Sequence, residues 1–339
     1  MDPEMQSNLL ALCAVDHVNW HVIAREAQHP GGLERLLRGD LAEKSKEARA
    51  TQKLLAAADL DAVRRRAAEE IRRAREDVGA KLLTVLDDDY PANLRVIYNL
   101  PPFLFYRGRL EREDARSIAV VGTREASDEG IDSARRMAGR LAQNGVTVLS
   151  GLARGIDTAA HEETLAQGGR TIAVLGTGIL RCYPKENADL AERIVESGAL
   201  VSQFWPTQPP TTYNFPRRNV VTSGMSQGTV VIEASKTSGA KMQARLALEH
   251  GKRVFLVSRL VTSQPWAQKY VADRGAIEIT SVDDVLTRLR SPEEIEQLSA
   301  GRRQLHSSWP EPVDPRPQPA GFGDQLVMPQ AAFQRRDAA

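Results

Sequence analysis

The sequence has few cysteines, almost no net charge and no long apolar run. Only two of its 339 residues are cysteine, which is too few for a disulfide scaffold or a cysteine-rich zinc site. The formal net charge is +1, so the chain as a whole does not attract polyanions, and a nucleic-acid site has to be a local patch. No run of about 18 apolar residues is present, and the first residues lack the pattern of a signal peptide. We therefore expect a cytoplasmic protein without a membrane segment or a metal site.

Three segments of different composition follow one another. Residues 1–85 are rich in Ala, Leu, Glu and Arg and repeat apolar positions at helical spacing, which predicts a helical N-terminal domain. Residues 86–290 alternate short apolar runs with amphipathic segments and form the second predicted domain. Residues 291–339 hold six of the chain's 18 prolines within the last 34 positions, which predicts a linker and a disordered, proline-rich tail.

The second domain carries seven short apolar runs. They are continuous rather than alternating with polar residues, as expected of strands that are covered on both faces. The runs occupy residues 117–121, 146–150, 171–176, 198–202, 229–234, 253–257 and 276–280. Repeated strand, helix, strand units predict an α/β fold with a doubly wound, mostly parallel sheet.

Ligands of such sheets bind beyond the carboxyl ends of the strands, where loops lead into helix N-termini. Several of these loops carry a cation that can pair with a phosphate, and glycines that allow close approach of the backbone. The cations are Arg124, Arg154, Lys185, Arg217 and Arg218, and the glycines are Gly122, Gly151 and Gly155. Because the fold would gather them at one edge, we predict a local polyanion groove on a nearly neutral chain.

The stretch "NFPRRN", residues 214–219, places Phe215 beside two of these arginines. An aromatic ring next to guanidinium groups suits a flexible single strand, because bases stack on rings while cations follow the phosphates. The alternative is a core position for Phe215 and a salt bridge for one arginine, and the sequence leaves both open.

A nucleotide site is a second hypothesis. No loop fits the phosphate-binding pattern G-x-x-x-x-G-K-[ST], and the first loop lacks G-x-G-x-x-G, which disfavours a P-loop hydrolase and a classical dinucleotide site. The remaining candidates are Gly176, Gly178, Glu233, Ser238 and Gly239. The carboxylate among them, Glu233, is open to three roles: binding a ribose hydroxyl, acting as a general acid or base, or capping a helix.

Long motifs in residues 85–289 resemble the DNA-processing protein A family, also called DprA or Smf. These motifs are "YPANLRVIYNLPPFLFYRG", "SIAVVGTREAS", "VLSGLARGIDTAAHEETL", "GRTIAVLGTGILRCYPKEN", "NFPRRNVVTSGMSQGTVVIEASKTSGAKMQARLALEHGKRVFLV" and "GAIEITSVDDVL". The resemblance implies an extended Rossmann-like domain that binds single-stranded DNA without sequence preference, forms a homodimer, and hands the strand to a RecA-type recombinase.

The resemblance also implies which residues bind DNA. They match Gly122 and Arg124 of "VGTR", Ser150, Gly151, Arg154 and Gly155 of "SGLARGID", Lys185 of "YPKEN", and Phe215, Arg217, Arg218 and Asn219 of "FPRRN". In this interpretation Arg217 and Arg218 clamp phosphates while Asn219 fixes the turn. The chain departs from the family pattern at Gln203, where glutamate is usual, and at Ser258 and Arg259, where Pro-Gly is usual.

Two alternative functions accompany this interpretation. The wider superfamily includes LOG-type phosphoribohydrolases, whose "PGGxGTxxE" motif is partly matched by "SGMSQGTVVIE"; the displaced glutamate argues against hydrolysis. The other alternative is a divergent member of an antiphage or mobile-element system that binds a nucleotide or scaffolds a partner ATPase or nuclease. We expect neither catalytic residues nor a cofactor.

Overall fold

The computed structural model describes the backbone of residues 2–308 and the side chains of residues 2–301. The predicted proline-rich tail, from residue 309 onward, lies outside the described residues. None of the described helices is long and apolar enough to cross a membrane. No group of three or more His, Cys, Asp or Glu side chains in this part of the chain is arranged to hold a metal ion.

Five helices form the N-terminal part, called here the helical unit. They are α1 (Pro3–Ala14), α2 (Trp20–Ala27), α3 (Gly32–Leu37), α4 (Lys46–Ala56) and α5 (Leu60–Val78). Short polar residues begin four of them: the side chains of Asp2, Asn19, Ser45 and Asp59 accept hydrogen bonds from backbone N–H groups of the first turn. These caps satisfy donors that a helix leaves without partners.

A sheet of nine strands follows. The strands are β1 (Lys81–Thr84), β2 (Phe103–Gly108), β3 (Ser117–Val121), β4 (Thr147–Ser150), β5 (Thr171–Val174), β6 (Ala199–Ser202), β7 (Gly228–Val231), β8 (Arg253–Val257) and β9 (Ile277–Ile279). Their order is β1-β2-β6-β5-β4-β3-β7-β8-β9. The seven predicted runs correspond to β3–β9, which pair in parallel, whereas β1 and β2 form an antiparallel edge. The predicted α/β fold with a mostly parallel sheet is confirmed.

Helices and turns cover both faces of the sheet. They are α6 (Ala92–Arg95), α7 (Asp128–Gln143), α8 (Ile156–Ala166), α9 (Ala188–Ser197), α10 (Asn214–Met225), α11 (Gly239–Glu249), α12 (Ser258–Ser263), α13 (Pro265–Arg274), α14 (Asp283–Leu286) and α15 (Pro292–Ser308). Successive residues of β3 pack into different apolar clusters, Ile118 and Val120 into one and Ala119 and Val121 into the other. This alternation is the mark of a strand that is buried on both faces.

The structure differs from the sequence prediction near both ends of the second domain. Strand β1 already begins at Lys81, before the predicted limit at residue 85. Residues 292–308, predicted to belong to the linker and tail, form helix α15. A capping box explains this helix: Ser291 N–H donates to Glu294 Oε2 at 2.7 Å, and Glu294 N–H donates to Ser291 Oγ at 3.3 Å. Pro292 occupies the first helical position, where it is favoured.

Candidate nucleic-acid interface

A pocket lies beyond the carboxyl ends of β3, β4 and β5, beside the N-terminus of α10. Eight residues line it: Arg124, Gly151, Ala153, Arg154, Tyr183, Pro184, Phe215 and Arg218. Five of them, all except Ala153, Tyr183 and Pro184, belong to the predicted phosphate-binding set. The pocket therefore brings together residues from three strand-to-helix loops and one helix.

The mouth of the pocket combines a cation with two aromatic rings. The guanidinium carbon of the exposed Arg124 lies 5.0 Å from the centroid of the Phe215 ring. The ring of Tyr183, which is 41% exposed, lies 5.7 Å from that of Phe215. Arg124 forms no ion pair with any described residue. Its guanidinium group is therefore positioned by an aromatic ring and not by a carboxylate. This arrangement leaves both a cation and aromatic surface open to a ligand.

Arg218 forms the floor of the pocket. Only 8% of the residue is exposed, and its Nη1 atom donates to the carbonyl oxygens of Gly151 at 2.6 Å and Val174 at 2.7 Å. Burial lowers the pKa of the Arg218 guanidinium, and the nearby carboxylate of Asp157 opposes that shift. Burial likewise raises the pKa of Asp157, and Arg218 opposes this shift too. The two groups thus stabilise each other's charge inside the protein.

The glycine loop, residues 150–157, is held mainly by its own contacts. Asp157 Oδ2 accepts hydrogen bonds from the N–H groups of Gly151 at 3.1 Å and Ala153 at 3.4 Å. The buried Ser150 donates its hydroxyl to the Val120 carbonyl at 2.6 Å. Of the predicted contacts in this loop, the Ser150 hydroxyl and the Gly151 N–H are therefore already occupied.

Three glycines in or next to the pocket have no room for a side chain. A Cβ on Gly151 would lie 1.9 Å from Arg218 Nη1. Gly155 has a φ of +73°, and a Cβ there would lie 2.6 Å from the Thr123 carbonyl oxygen. Gly122, at the end of β3, packs against the side chain of Ile156. These glycines shape the pocket through close packing.

Two further cations stand at the edge of the pocket. Arg154 is exposed and forms an ion pair with the exposed Glu186. Lys185, next to the lining residue Pro184, is exposed and has no ion-pair partner within the described chain. Lys185 is therefore the freer of the two for a phosphate, whereas Arg154 first has to leave its carboxylate.

The stretch around Arg217 is helical, whereas the sequence interpretation placed it in a turn. Asn219 lies in α10, and its side-chain oxygen accepts a hydrogen bond from Arg218 Nε at 3.1 Å, so it orients Arg218 instead of fixing a turn. Arg217 does not line the pocket. Its guanidinium carbon lies 5.4 Å from the Trp20 ring centroid and 5.6 Å from that of Phe204.

The candidate nucleotide residues lie outside the pocket lining. Glu233 Oε2 accepts hydrogen bonds from Ser127 N–H at 3.1 Å and Ser127 Oγ at 2.9 Å, so it caps the start of α7. Ser238 caps α11 through the N–H of Ala240, and Gly239 is the first residue of that helix. Gly176 packs against the Phe215 ring, and Gly178 packs against the backbone carbonyl groups of residues 205 and 206. Of the three roles open to Glu233, helix capping is the one that its contacts support.

The departures from the family pattern also have structural partners. Gln203 Nε2 donates to the Arg217 carbonyl at 2.6 Å. Ser258 begins α12 and donates its hydroxyl to the Ile279 carbonyl at 3.1 Å. Arg259 pairs with Glu129 at 3.4 Å. These side chains are thus part of the packing of this chain.

Tyr183 and Asp157 contribute to the site but were not among the predicted site residues. Tyr183 follows β5 in "RCYPKEN", next to the predicted Lys185, and its exposure is what brings it into the pocket. Asp157 was interpreted only as part of a helix start. Its carboxylate accepts a hydrogen bond from Gly151 and interacts electrostatically with Arg218, which is distant in sequence, so this interaction had no local signal.

Comparisons with known proteins agree with this architecture. Residues 81–290, more than half of the chain, match the family model of DNA recombination-mediator protein A. The DNA processing protein DprA of Streptococcus pneumoniae is 38% identical over 204 residues, covering 60% of this chain and 72% of that protein. Protein Smf of Escherichia coli is 41% identical over 204 residues, covering 59% of this chain and 54% of that protein. The match therefore spans about half the length of the E. coli relative.

Two solved structures share the fold. The X-ray structure of DprA from S. pneumoniae superposes with a TM-score of 0.70 and 30% identity, covering 84% of this chain and 98% of that one. The DNA processing protein A of Helicobacter pylori, whose structure was described for its single-stranded DNA binding mode, superposes with a TM-score of 0.56 and 22% identity. The match covers 62% of this chain and 95% of that one. With its family match over most of the sheet domain, this chain belongs to the DNA recombination-mediator protein A family, known as DprA or Smf.

Proposed function

We propose that this protein binds single-stranded DNA without sequence preference at the pocket, as a recombination mediator. The observation that carries the proposal is the placement of Arg124 over Phe215, beside the exposed ring of Tyr183. Rings can stack on any base, while the guanidinium group pairs with a backbone phosphate. Neither an amide nor a carboxylate side chain is among the eight lining residues, so selective reading of base edges is not favoured.

The charge pattern supports a single strand as the ligand. Arg124 and Lys185 lack carboxylate partners within the described chain and stand at the surface, whereas Arg218 is buried below them. A flexible strand can bend its bases onto Tyr183 and Phe215, which stacked and paired bases of a duplex cannot do. The H. pylori relative has a single-stranded DNA binding mode of its own, which is consistent with the same ligand here.

The family assignment extends the proposal to partners. Mediation of recombination requires that a bound strand be passed on, and we assign the receiving role to a RecA-type recombinase. The proposal also includes a homodimer as the working form. Both additions come from the family resemblance and are tested separately from the DNA site, by copurification and by sedimentation.

The test is fluorescence anisotropy of a labelled oligothymidylate at two salt concentrations, with a duplex of equal length alongside. Phe215→Leu should weaken binding by about 5- to 150-fold, the range given by a stacking energy of about 1–3 kcal/mol per base. Arg124→Gln should lower the slope of log binding constant against log salt by about 0.7, as for one lost phosphate contact on a single strand. The matched control is Arg65→Gln, which removes an exposed arginine of α5. Equal affinity for the duplex, or an unchanged slope in Arg124→Gln, would contradict the proposal.

A further inference from the structure

Three arginines stand together at the edge of the sheet opposite the pocket, where the parallel strands begin. Arg253 is the first residue of β8, and Arg288 and Arg290 follow α14. The Arg253 side chain donates a hydrogen bond to the carbonyl oxygen of Arg288, which joins the segment after α14 to the start of β8. We call Arg253, Arg288 and Arg290 the basic edge.

The backbone of the basic edge is fixed by one buried side chain, that of Gln227. Gln227 precedes β7 and is 6% exposed. Its Oε1 atom accepts a hydrogen bond from the Arg290 N–H at 2.8 Å, and its Nε2 atom donates to the carbonyl oxygens of Arg290 at 2.9 Å and Ala115 at 2.8 Å. The segment that carries Arg288 and Arg290 is therefore bound to the central strands. Cations on a fixed segment lose less conformational entropy when they bind an anion.

The positive charges of the basic edge are not neutralised within the described chain. None of the three arginines forms an ion pair with a described residue. Burial lowers the pKa of the Arg253 guanidinium, and the charges of Arg290 and Arg288 lower it further. Asp284 lies one helical turn before Arg288, but its carboxylate accepts hydrogen bonds from two backbone N–H groups at 3.0 Å, and these lower its pKa more than Arg288 does. A bound anion would relieve the repulsion among the three arginines.

Arg288 and Arg290 are exposed and keep free hydrogen-bond donors. The Arg290 guanidinium group donates to no described residue. Arg288 uses its Nη1 atom, which donates to the Asp284 carbonyl at 2.5 Å and to Thr287 Oγ1 at 3.5 Å. A guanidinium group has five N–H donors in a fixed fork that fits a phosphate group. Both side chains can therefore receive a phosphate without breaking an ion pair.

Other arginines at this edge of the sheet are paired with carboxylates. Arg170 precedes β5 and pairs with Asp114 at 2.6 Å, and Arg112 precedes β3 and pairs with Glu296 at 2.6 Å. The basic edge differs from these pairs, because it gathers three guanidinium groups without a carboxylate partner among the described residues.

The basic edge also lacks the aromatic rings that accompany the cations of the pocket. Tyr183 and Tyr213 are the exposed tyrosine, tryptophan or phenylalanine side chains of the described chain. Tyr183 lines the pocket, and Tyr213 directly precedes α10 beside it. Unpaired bases need rings to stack on, whereas a duplex stacks its bases inside and presents phosphates at its surface. Cations without rings therefore favour a duplex over a single strand.

We propose that the basic edge binds the phosphate backbone of double-stranded DNA, at a site separate from the pocket. This inference goes beyond the proposed function, which concerns a single strand at the opposite edge of the sheet. Phosphate contacts carry no sequence information, so the binding is independent of sequence. With so few contacts it is weak and depends strongly on salt, as is usual for non-specific DNA binding with dissociation constants of about 10⁻⁴ to 10⁻⁶ M. A single strand therefore remains the tighter ligand of the protein.

The experiment titrates the full chain into a labelled blunt duplex of about 20 base pairs and, separately, a labelled oligothymidylate of about 20 nucleotides, both longer than a usual site of about 4–16 nucleotides. Anisotropy is followed at several low salt concentrations. Combining Arg288→Gln with Arg290→Gln should lower the slope of log binding constant against log salt by about 1.8 on the duplex, about 0.9 for each lost phosphate contact. The slope and affinity for the single strand should not change. The control combines Arg65→Gln with Arg66→Gln, which removes two exposed arginines of α5 and should leave both ligands bound as before.

Arg124→Gln, measured on the same two ligands, separates this inference from the proposed function. It should weaken binding of the single strand and leave the duplex slope unchanged. If it changes neither, the proposed function fails, whereas a duplex slope that depends on Arg288 and Arg290 still supports the basic edge.

Three outcomes overturn the inference. The first is an unchanged duplex slope in the double variant, and the second is an equal loss on both ligands, which would place the basic edge on the path of the single strand. The third is binding of a labelled oligoglutamate that the double variant loses while the duplex is not bound, which would assign the surface to an acidic protein segment. If the double variant unfolds, Arg290→Gln alone decides, with an expected slope change of about 0.9, because its guanidinium group contributes no hydrogen bond to the described fold.

Discussion

Arg218 Nη1 lies 2.6 Å from the carbonyl oxygen of Gly151 and 2.7 Å from that of Val174. One guanidinium group thereby ties together the carboxyl ends of β4 and β5. Its neighbour Arg217 faces the helical unit, and Arg124 stands over Phe215 at the mouth of the pocket. Three arginines that look equivalent in the sequence therefore have separate surroundings: Arg218 forms the floor of the pocket, Arg124 stands at its mouth, and Arg217 lies against the helical unit.

The first prediction concerns Gly151. In Gly151→Ala the new Cβ would lie 1.9 Å from Arg218 Nη1, so the guanidinium group has to leave the carbonyl oxygens that hold it. We expect a loss of about 1–3 kcal/mol in the free energy of unfolding, and weaker binding of single-stranded DNA. Urea unfolding and anisotropy measure the two effects. Gly239→Ala is the control, because a Cβ there meets no atom within 4 Å; similar stabilities of the two variants would contradict the packing argument.

The second prediction separates the roles of Arg218 and Arg124. Arg218→Met leaves the buried carbonyl groups of Gly151 and Val174 without their donor and removes the charge that opposes the burial of Asp157, which should cost about 1–3 kcal/mol of stability. Arg124→Gln should change stability by less than about 0.5 kcal/mol while it weakens DNA binding. Urea unfolding of both variants checks this contrast.

Adding Asp157→Asn to Arg218→Met tests the electrostatic interaction between these two buried groups from its other side. The double variant should recover part of the lost stability, because no uncompensated charge remains. If Arg218→Met is as stable as Arg124→Gln, or if the double variant is the least stable of all, Arg218 does not have the structural role assigned to it.

The sequence predicts the pocket better than it predicts the directions of side chains. Runs such as residues 117–121 are apolar throughout, so strands β3–β9 could be recognised, and a parallel sheet brings their carboxyl ends to one edge. That rule predicted that Arg124, Arg154 and Arg218 gather at one edge, and all three line the pocket. It could not place Arg217, because the direction of this side chain depends on "NFPRRN" being helical, and because Trp20 is almost 200 positions away in the sequence.

Some features that were not predicted from the sequence did have a local sequence pattern. Ser291, Pro292 and Glu294 form a readable capping box, and it marks the start of α15. The prolines around β1 and β2 obscured their strand pattern, and antiparallel edge strands are short and less uniformly apolar. The electrostatic interaction of Asp157 with Arg218 left no such trace, because an interaction between distant positions has no periodicity.

The third prediction concerns Glu233 and distinguishes DNA binding from nucleotide hydrolysis. Glu233 accepts hydrogen bonds from Ser127, and the side-chain oxygen of glutamine can accept them as well. Glu233→Gln should therefore lose only about 0.3–1 kcal/mol of stability, from the missing charge at a helix N-terminus, and bind single-stranded DNA normally. Anisotropy and chromatography of nucleoside monophosphates incubated with the protein provide the measurements. Release of a free base that Glu233→Gln abolishes would establish the hydrolase instead.

Two buried histidines, His161 and His250, lie outside the pocket lining. Burial lowers the pKa of both His161 and His250 to about 3, with smaller contributions from Arg218 and Lys252 respectively. His161 Nδ1 lies 2.7 Å from Thr171 Oγ1, and the ring nitrogens of His250 lie 2.9 Å from side-chain oxygens of Ser223 and Asn99.

The fourth prediction follows from these shifts. The unfolded chain binds a proton at each histidine below about pH 6.5, whereas the folded protein does so only near pH 3. Stability should therefore be unaffected by these groups above about pH 6.5 and fall as the pH decreases from there toward 3, by about 2 kcal/mol per histidine at about pH 5. Urea unfolding of the unmodified protein and of His250→Gln, at about pH 7.5 and about pH 5, tests this. Between these two pH values His250→Gln should lose about 2 kcal/mol less stability than the unmodified protein. The exposed His17 supplies the control, since His17→Asn should retain the full pH dependence. An identical acid destabilisation in both variants would show that His250 does not drive it.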